Sequence, residues 1–406
     1  MYEQELIPHL FRTEFSKISS VLCKLFGIEH IEVAEDITSE TFLAALETWS
    51  YRGIPENPTA WLYTVAKNKT KNYLSRNKLF SEKIIPEITK ASSGQIDIDL
   101  SEKNITDSQL QMLFAVCHPS IPAEAQIGLS LRILCGFGID EIANAFLTAK
   151  ENINKRLFRA KEKLRKENIQ IIFPSSAEID ERLDTVLTTL YLLFNEGYYS
   201  ESKDAVIREE LCTEAMRLNY LLMRHPQTNQ PKVTALYALM CFHSSRFPAR
   251  KDCNGEIILY EDQDESLWDK ELISKGAFYL KESSKGNIIS KYHLEAGIAY
   301  WHTQKNDSKE KWENILQLYN RLLQIEYSPV AALNRTYALS KANSKEEAIK
   351  EALKLQLHNN HYYFVLLGEL YKNTDTTKSV AYFQEALSLA KSNSDKKVIS
   401  KKLLQF

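Results

Sequence analysis

Residues 126–166 read QIGLSLRILCGFGIDEIANAFLTAKENINKRLFRAKEKLRK, and this stretch decides the fold of the N-terminal part of the chain. Its pattern predicts a short helix from Gly138 to Ala145, a tight turn at residues 146–148 and a second helix that begins near Ala149. Apolar residues fall where two helices that cross at a steep angle share one small core, as in a helix-turn-helix motif. These apolar positions are Ile142, Ala143, Phe146, Ile153 and Leu157.

The second predicted helix is strongly basic. Thr148, followed three residues later by Glu151, predicts a capping box at its start. A helix from Ala149 to Glu167 spans roughly 28 Å, so its first turns can enter a major groove while its tail follows phosphates. A solvated basic face is the alternative interpretation, but the preceding turn and the shared core favour DNA binding. The basic residues are Lys150, Lys155, Arg156, Arg159, Lys161, Lys163, Arg165 and Lys166.

The composition predicts an all-α protein of several domains. A chain of 406 residues exceeds one small core, and its 12 glycines and 11 prolines leave few turn signals for β-hairpins. The net charge of −2 gives no global attraction to nucleic acid, so such binding depends on local basic patches. The six cysteines are far apart without metal-ligand spacing, which predicts reduced thiols in a cytoplasmic protein. Neither a membrane span nor a signal peptide is predicted.

Two helices predicted at residues 1–28 and 31–49 open the chain. The second is amphipathic, and its acidic face is either merely solvated or a docking surface for a basic partner helix. Its predicted apolar face consists of Val33, Ile37, Phe42, Leu43, Ala45 and Leu46. Its acidic face consists of Glu32, Glu35, Asp36, Glu40 and Glu47.

A third helix, predicted from Ala60 to Lys78, reverses the sign of the charge. Its basic residues are interleaved with aromatic and amide side chains, a mixture that suits single-stranded or melted DNA because cations hold phosphates while flat groups stack on bases. In the alternative interpretation, Trp61, Leu62 and Val65 are core and the lysines only solubilise the helix. Residues 79–101, with Pro, Ser, Gly and scattered acidic residues, are typical of a flexible linker.

Three segments, in this order, resemble bacterial sigma-70 family RNA polymerase sigma factors of the extracytoplasmic-function group. DITSETFLAALETW at Asp36–Trp49 resembles the segment that binds core polymerase. PTAWLYTVAKNKTKNYLSR at Pro58–Arg76 resembles the helix that reads and melts the promoter −10 element, and SQLQMLFAVCHP at Ser108–Pro119 resembles part of the domain that reads the −35 element. Ser39 stands where the family usually has Gln, so the resemblance places polymerase contacts at its neighbours rather than at Ser39.

The resemblance implies a role for each of these helices. The acidic helix docks on the clamp helices of the β′ subunit of core RNA polymerase, and the two basic helices bind promoter DNA. The residues implied in docking, or in supporting it, are Asp36, Glu40, Phe42 and Trp49. Those implied at the −10 element are Trp61, Lys67, Asn68, Lys71, Asn72 and Arg76. Those implied at the −35 element are Lys150, Asn152, Asn154, Lys155, Arg156 and Arg159. No catalytic group, metal or cofactor is implied, because the polymerase performs the chemistry.

The chain continues far beyond the part that resembles typical members of this group. Residues recur at an interval of 34 positions, which is the period of tetratricopeptide repeats, and the concave side of such an array commonly holds a peptide or protein segment. The recurring residues are Leu333, Asn334, Tyr337, Ala352 and Leu353, which match Leu367, Gly368, Tyr371, Ala386 and Leu387. FNEGYY at Phe194–Tyr199, DQDESLWD at Asp262–Asp269 and SPVAALNR at Ser328–Arg335 resemble signatures of a subgroup in which such an extension regulates the factor.

Together these patterns predict an all-α chain with five consecutive parts. They are a sigma region-2-like domain (1–78), a linker (79–104), a region-4-like helix-turn-helix domain (105–170), a helical extension (171–285) and tetratricopeptide-like repeats (286–406). The leading interpretation is a promoter-specificity subunit of RNA polymerase, regulated by its extension. One alternative is a helix-turn-helix regulator that binds duplex DNA without polymerase and senses a signal through its helical array; another is a protein-interaction scaffold. An enzyme is disfavoured, since no phosphate loop, nucleophile–base pair or metal-ligand spacing is present.

Overall fold

The computed structural model describes residues 3–76, 98–146, 148–198, 209–250 and 258–406. Every regular element in these ranges is helical and none is a strand, which confirms the all-α prediction. The chain forms two compact units, Met1–Leu192 and Leu193–Phe406. No helix among the described residues combines the length and apolarity that a membrane crossing requires.

The first unit begins with three long helices close to the predicted bounds. These are α1 (Glu3–Phe26), α2 (Ile31–Arg52) and α3 (Pro58–Arg76). After them come α4 (Glu102–Val116), α5 (Ala123–Leu129), a π-helical segment (Ser130–Leu134), α6 (Ile139–Ala145), α7 (Lys150–Lys166) and α8 (Ile179–Tyr198). The boundary between the units falls inside α8. Most of the predicted linker lies outside the described residues, and its last three positions open α4.

Aromatic side chains hold α1, α2 and α3 together. The ring centroid of Phe15 lies 4.7 Å from that of Phe11 and 6.3 Å from that of Phe42. Trp49 of α2 meets Trp61 of α3 edge-on, with 5.3 Å between the ring centroids. Such aromatic pairs contribute about 0.5–1.5 kcal/mol each beyond their buried area. They fix the rotation of α2 about its axis, because Phe42 and Trp49 are both buried.

Helix α1 also packs against the helices on the far side of the linker. The Ser16 hydroxyl accepts a hydrogen bond of 3.3 Å from the side-chain amide of Gln109 in α4. Gly136 has a φ of +73°, which glycine adopts without strain, and an added Cβ there would contact the Phe15 ring at 3.5 Å. The helices that precede and follow the linker therefore belong to one packed body.

Helices α6 and α7 confirm the predicted helix-turn-helix pattern. Of the five predicted apolar positions, four are buried and Phe146 is half-buried. The predicted capping box is wrong, because the residue at the N-cap of α7 is Ala149, which has no side-chain oxygen to accept a backbone N–H. The Thr148 hydroxyl accepts a hydrogen bond of 3.1 Å from the Asn152 side chain instead.

The second unit is a succession of helices of 11 to 17 residues after α8. They are α9 (Glu209–Arg224), α10 (Pro231–Ser244), α11 (Lys270–Ser283), α12 (Lys291–Trp301), α13 (Lys309–Ile325), α14 (Pro329–Ala342), α15 (Lys345–Leu355), α16 (His361–Tyr371), α17 (Thr376–Leu389) and α18 (Asn393–Leu403). Ala352 and Ala386, small residues of the predicted repeat, are fully buried. An added Cβ at Gly368 would come within 2.9 Å of the Phe383 ring. These close approaches are consistent with the repeat, whose tetratricopeptide identity stays a prediction.

Candidate polymerase and DNA interfaces

The outward face of α2 combines acidic and apolar side chains. Asp36, Glu40 and Glu47 are exposed, and Leu43 and Leu46 among them are 54% and 48% exposed. Both leucines were predicted on the apolar, buried face of α2, and that prediction is wrong. We call these five residues the docking face of α2.

The misplacement of the two leucines has a geometric cause. The buried side of α2 follows Ile37, Phe42, Ala45 and Trp49, and successive residues of an α-helix are rotated by about 100°. Leu43, one position after Phe42, is therefore turned out of the core. Phe42 and Trp49, which the resemblance implied in docking, lie in the core, where they can only support the docking face from beneath.

Helix α3 exposes four of the six residues implied at the −10 element. The exposed residues are Asn68, Lys71, Asn72 and Arg76. Lys67 is half-buried, and Trp61 is half-buried against Trp49. Lys69 reaches across to α2 and forms an ion pair with Glu40 at 2.9 Å. The outer side of α3 thus carries cations and amides, while Trp61 contributes mainly to the core.

Helix α7 exposes five of the six residues implied at the −35 element. The exposed residues are Lys150, Asn152, Asn154, Lys155 and Arg159. Arg156 is half-buried: its guanidinium lies 5.6 Å from the centroid of the Phe146 ring and 2.9 Å from the Glu124 carboxylate. Phe158, which is 63% exposed beside Arg159, was not among the predicted site residues. The sequence feature that could have identified Phe158 is its position, since it is an aromatic residue that falls outside the apolar pattern of the helix.

Five charged residues form an ion cluster between α2 and the helix-turn-helix part. Buried Glu35 accepts hydrogen bonds from Arg132 of the π-helical segment and from Lys161 of α7, both at 2.7 Å. Glu32 pairs with Lys161 at 3.5 Å and also with Arg165. The acidic stretch of α2 is therefore divided. Glu32 and Glu35 bind cations of the helix-turn-helix part, whereas the acidic residues of the docking face stay exposed, with Glu40 paired to Lys69 of the neighbouring α3.

Nothing local in the sequence signalled this ion cluster. Arg132 and Lys161 lie 97 and 126 residues from Glu35 along the chain. Lys161 was predicted as one of the basic residues of its helix, and Arg132 was assigned no role. Glu35 and Lys161 are almost fully buried. In such surroundings, removing one partner leaves an uncompensated buried charge, which costs about 3–5 kcal/mol.

In the second unit, Arg246 lies between Tyr198 of the signature segment Phe194–Tyr199 and Tyr260, two residues before the segment Asp262–Asp269. Its guanidinium donates a hydrogen bond of 2.9 Å to the hydroxyl of Tyr198 and lies 5.5 Å from the ring centroid of Tyr260. Tyr260 in turn stacks on buried Trp268 with 6.2 Å between the centroids. Burial, with Arg246 nearby, lowers the pKa of His302 to about 3, so this imidazole stays neutral. The cluster has the character of a packed core.

The described residues offer neither a metal site nor a reactive thiol. No group of three or more His, Cys, Asp or Glu side chains in these ranges is placed to hold a metal ion. Five of the six cysteines are free and buried, as predicted, and Cys253 lies outside the described residues. Burial raises the pKa of Cys23, Cys212 and Cys241 to about 12, so these thiols stay protonated and unreactive at neutral pH.

The N-terminal helices match known sigma factors. Residues 10–80, which include most of α1 and all of α2 and α3, match the family described as sigma-70 region 2. The ECF RNA polymerase sigma-E factor of Haemophilus influenzae is 29% identical over 134 residues, which are 31% of this chain and 70% of that protein. Its counterpart in Escherichia coli K12 is 29% identical over 133 residues, which are 31% of this chain and 69% of that protein. This chain belongs to the extracytoplasmic-function group of the sigma-70 family. The match supports the role of an RNA polymerase sigma factor, and that family consists of transcription initiation factors.

This sigma factor carries an extension that has relatives of its own. Residues 182–284 match a family of unknown function, DUF6596. An uncharacterized protein, R00370 of Rhizobium meliloti, is 32% identical over 374 residues, which are 90% of this chain and 88% of that protein. The extension is thus shared by a relative of nearly the whole chain. No solved structure is a significant match.

Proposed function

We propose that this sigma factor binds core RNA polymerase through the docking face of α2 and reads promoter DNA through α3 at the −10 element and α7 at the −35 element. We also propose that its C-terminal extension regulates this activity in the cytoplasm. The observation that carries the proposal is the separation of charge among exposed helix faces. Acids surround exposed leucines on α2, whereas cations and amides cover α3 and α7.

The docking face has the composition of a protein interface rather than of a solvated helix. Leu43 and Leu46 supply apolar surface that folding leaves in water. Exposed Asp36, Glu40 and Glu47 around them would select a basic partner helix, since rim charges steer association and exclude wrong partners. An apolar centre with charged edges is the usual anatomy of a specific interface.

Replacing Leu43 by Asp is expected to weaken binding to core polymerase at least tenfold. The leucine is half-exposed, so its loss removes interface area without opening a cavity in the fold. The measurement is a titration of fluorescently labelled sigma factor with purified core polymerase, together with thermal unfolding of the free protein.

The matched control for this substitution is Leu267→Asp in the second unit, because Leu267 is 51% exposed. That variant should bind polymerase as the unchanged protein does. Equal affinity of the Leu43→Asp protein would contradict the assignment of the docking face. A lower unfolding temperature would show that the leucine has a packing role instead.

The DNA faces of α3 and α7 fit different tasks. On α3, exposed cations and amides share the outer side of the helix, which suits a melted strand whose phosphates and bases they can bind. On α7, the exposed residues occupy the first three turns of a helix-turn-helix second helix, which is the part that enters a major groove. Asn154 and Arg159 are residue types that read adenine and guanine edges.

Replacing Arg159 by Ala is expected to reduce promoter-specific run-off transcription roughly tenfold, since one base contact is worth about 1–3 kcal/mol. Arg159 is exposed, so stability and polymerase affinity should not change. Arg156→Ala is the comparison, because Arg156 is held by Phe146 and Glu124 and its loss should also lower the unfolding temperature. Full transcription by the Arg159→Ala protein would refute the placement of α7 at the −35 element.

The competing proposal is a regulator that binds duplex DNA without polymerase. It gives the docking face no partner and predicts tight, sequence-specific DNA binding by the isolated chain. Co-purification with core polymerase, compared between the unchanged protein and the Leu43→Asp variant, separates the two proposals.

A further inference from the structure

Helices α11, α12 and α13 enclose an open groove made of two adjoining cavities of about 570 and 380 Å³. Leu280, Leu318 and Arg321 line both cavities, which makes them continuous. The lining is mainly apolar, and two isoleucines extend from it into solvent. Ile288 is 83% exposed and Ile289 is 52% exposed. We call this feature the α11–α13 groove.

The charged side chains that line the groove are all positive. Lys281 and Arg321 contribute to its walls, whereas no Asp or Glu does. Within the described ranges neither cation has an ion pair. Glu282, the acidic neighbour of Lys281 in sequence, is already paired with Lys285 at 2.6 Å. Two positive charges thus border an apolar surface, and no carboxylate of the described residues is paired with either.

Amide side chains accompany these cations. Asn314, Gln317, Leu318 and Arg321 follow one another at steps of three, one and three residues and line one side of α13. The Asn314 amide also donates a hydrogen bond of 2.9 Å to the Glu310 carbonyl, which leaves its oxygen and second N–H for a ligand. Amide groups at this spacing can bond the backbone of an extended or helical segment, whereas the leucine and the isoleucines offer contacts to its side chains. The groove therefore offers a peptide charged, amide and apolar side chains to contact.

We propose that the α11–α13 groove binds a peptide segment of a partner protein in which acidic residues flank apolar ones. Carboxylates of that segment pair with Arg321 and Lys281, and its apolar side chains cover Ile288 and Ile289. A small molecule inside the cavities would leave both isoleucines in water, and exposed apolar surface of this kind marks protein contacts. The inference deepens the proposed regulatory role of the extension and names the chemistry of its partner.

A random dodecapeptide library displayed on phage, selected on the immobilised full chain, tests this inference. The selected peptides are expected to share two or more apolar residues next to Asp or Glu. A fluorescent peptide of the consensus sequence should then bind in solution, and Arg321→Glu and Ile288→Ser should each lower its affinity at least tenfold. Lys350→Glu is the matched control, because Lys350 is an exposed lysine outside the groove, and it should leave the affinity unchanged.

Several outcomes would overturn the inference. One is selection of basic peptides, another is selection of no peptide, and a third is a consensus peptide whose affinity neither groove variant alters. Binding of decanoate that Arg321→Glu abolishes, without any peptide binding, would assign the groove to a small amphipathic anion instead. These experiments use neither polymerase nor DNA. Their result therefore does not depend on the results of the Leu43→Asp and Arg159→Ala experiments.

Discussion

A chain cut after Gln170 is expected to lose the folded structure of its helix-turn-helix part, whereas a chain cut after Leu192 keeps it. The reason is that the first part of α8 belongs to the first unit, although it follows the segment that resembles other sigma factors. Ile179, Val186 and Leu190 lie on one side of this helix and are buried.

Polar contacts on the same side of α8 bind it to α4 and α5. Arg182 donates a hydrogen bond of 2.5 Å to the backbone carbonyl of Phe114, and the Thr189 hydroxyl donates one of 2.6 Å to the side chain of Gln126. The Gln126 amide in turn donates to two backbone carbonyls of the α4–α5 connection, at 2.9 and 3.0 Å. Losing α8 removes five buried apolar side chains worth about 1.5–3 kcal/mol each, which together reach the whole stability of a domain. They are Ile179, Leu183, Val186, Leu187 and Leu190.

Thermal unfolding of the two truncated chains, followed by near-ultraviolet circular dichroism, measures this effect. We expect a cooperative transition for the chain that ends at Leu192 and none for the chain that ends at Gln170. In the full chain, Val186→Asp should destabilise the first unit by about 4 kcal/mol or more, because it buries an unpaired charge. Glu181→Ala on the exposed side of α8 is the control. Equal unfolding temperatures of the two truncated chains would show that α8 is dispensable.

The helices themselves were predictable because their signal is local. A 3.6-residue period sets out α1 to α3 and the pair α6 and α7, and the predicted bounds differ from the observed ones by a few residues. The same period correctly left Lys150, Asn154, Lys155 and Arg159 outside the core. Residues whose environment is decided within one or two helical turns can thus be placed from sequence.

The remaining features depend on which helix meets which, and no local pattern contains that information. Leu43 and Leu46 look like core residues until the rotation of α2 is known. Glu35 looks like Asp36, its neighbour, yet one is buried in an ion cluster and the other is exposed. Resemblance to shorter relatives also placed the end of the helix-turn-helix domain at residue 170, whereas the first compact unit extends to Leu192 inside α8.

The ion cluster limits what this form of the first unit can bind at once. A compact body of 192 residues has a diameter of about 42 Å. The −10 and −35 elements lie about 25 base pairs apart, which is about 85 Å along B-DNA. In the proposed function, α3 and α7 therefore cannot reach both elements until the contacts that join their halves of the unit open.

Replacing Glu35 by Gln is expected to open the first unit. Arg132 and Lys161 then lose the buried carboxylate that they share, and removing one side of such a pair costs about 3–5 kcal/mol. That cost falls on the closed form, so the balance between closed and open forms should shift by about 100-fold or more. Energy transfer between dyes on Ser75→Cys in α3 and Lys166→Cys in α7 measures the opening. Both sites are exposed.

The dye-labelled protein carries Cys253→Ser, because the other five cysteines are buried and do not label. Asp140→Asn is the matched control: it removes an ion pair with Lys150 at 2.8 Å whose partners are both exposed, and such pairs contribute little. Its transfer efficiency should equal that of the unchanged protein, and core polymerase should lower the efficiency of both.

Lys161→Met separates an opening effect from a docking effect. Lys161 lies on α7, away from the docking face, yet it pairs with the same carboxylate as Arg132. If the ion cluster holds the unit closed, both Glu35→Gln and Lys161→Met lower energy transfer in the free protein. Unchanged transfer in both variants would refute the closing role. A change in polymerase affinity with Glu35→Gln alone would instead make Glu35 part of the surface that polymerase contacts, since only that residue is on α2.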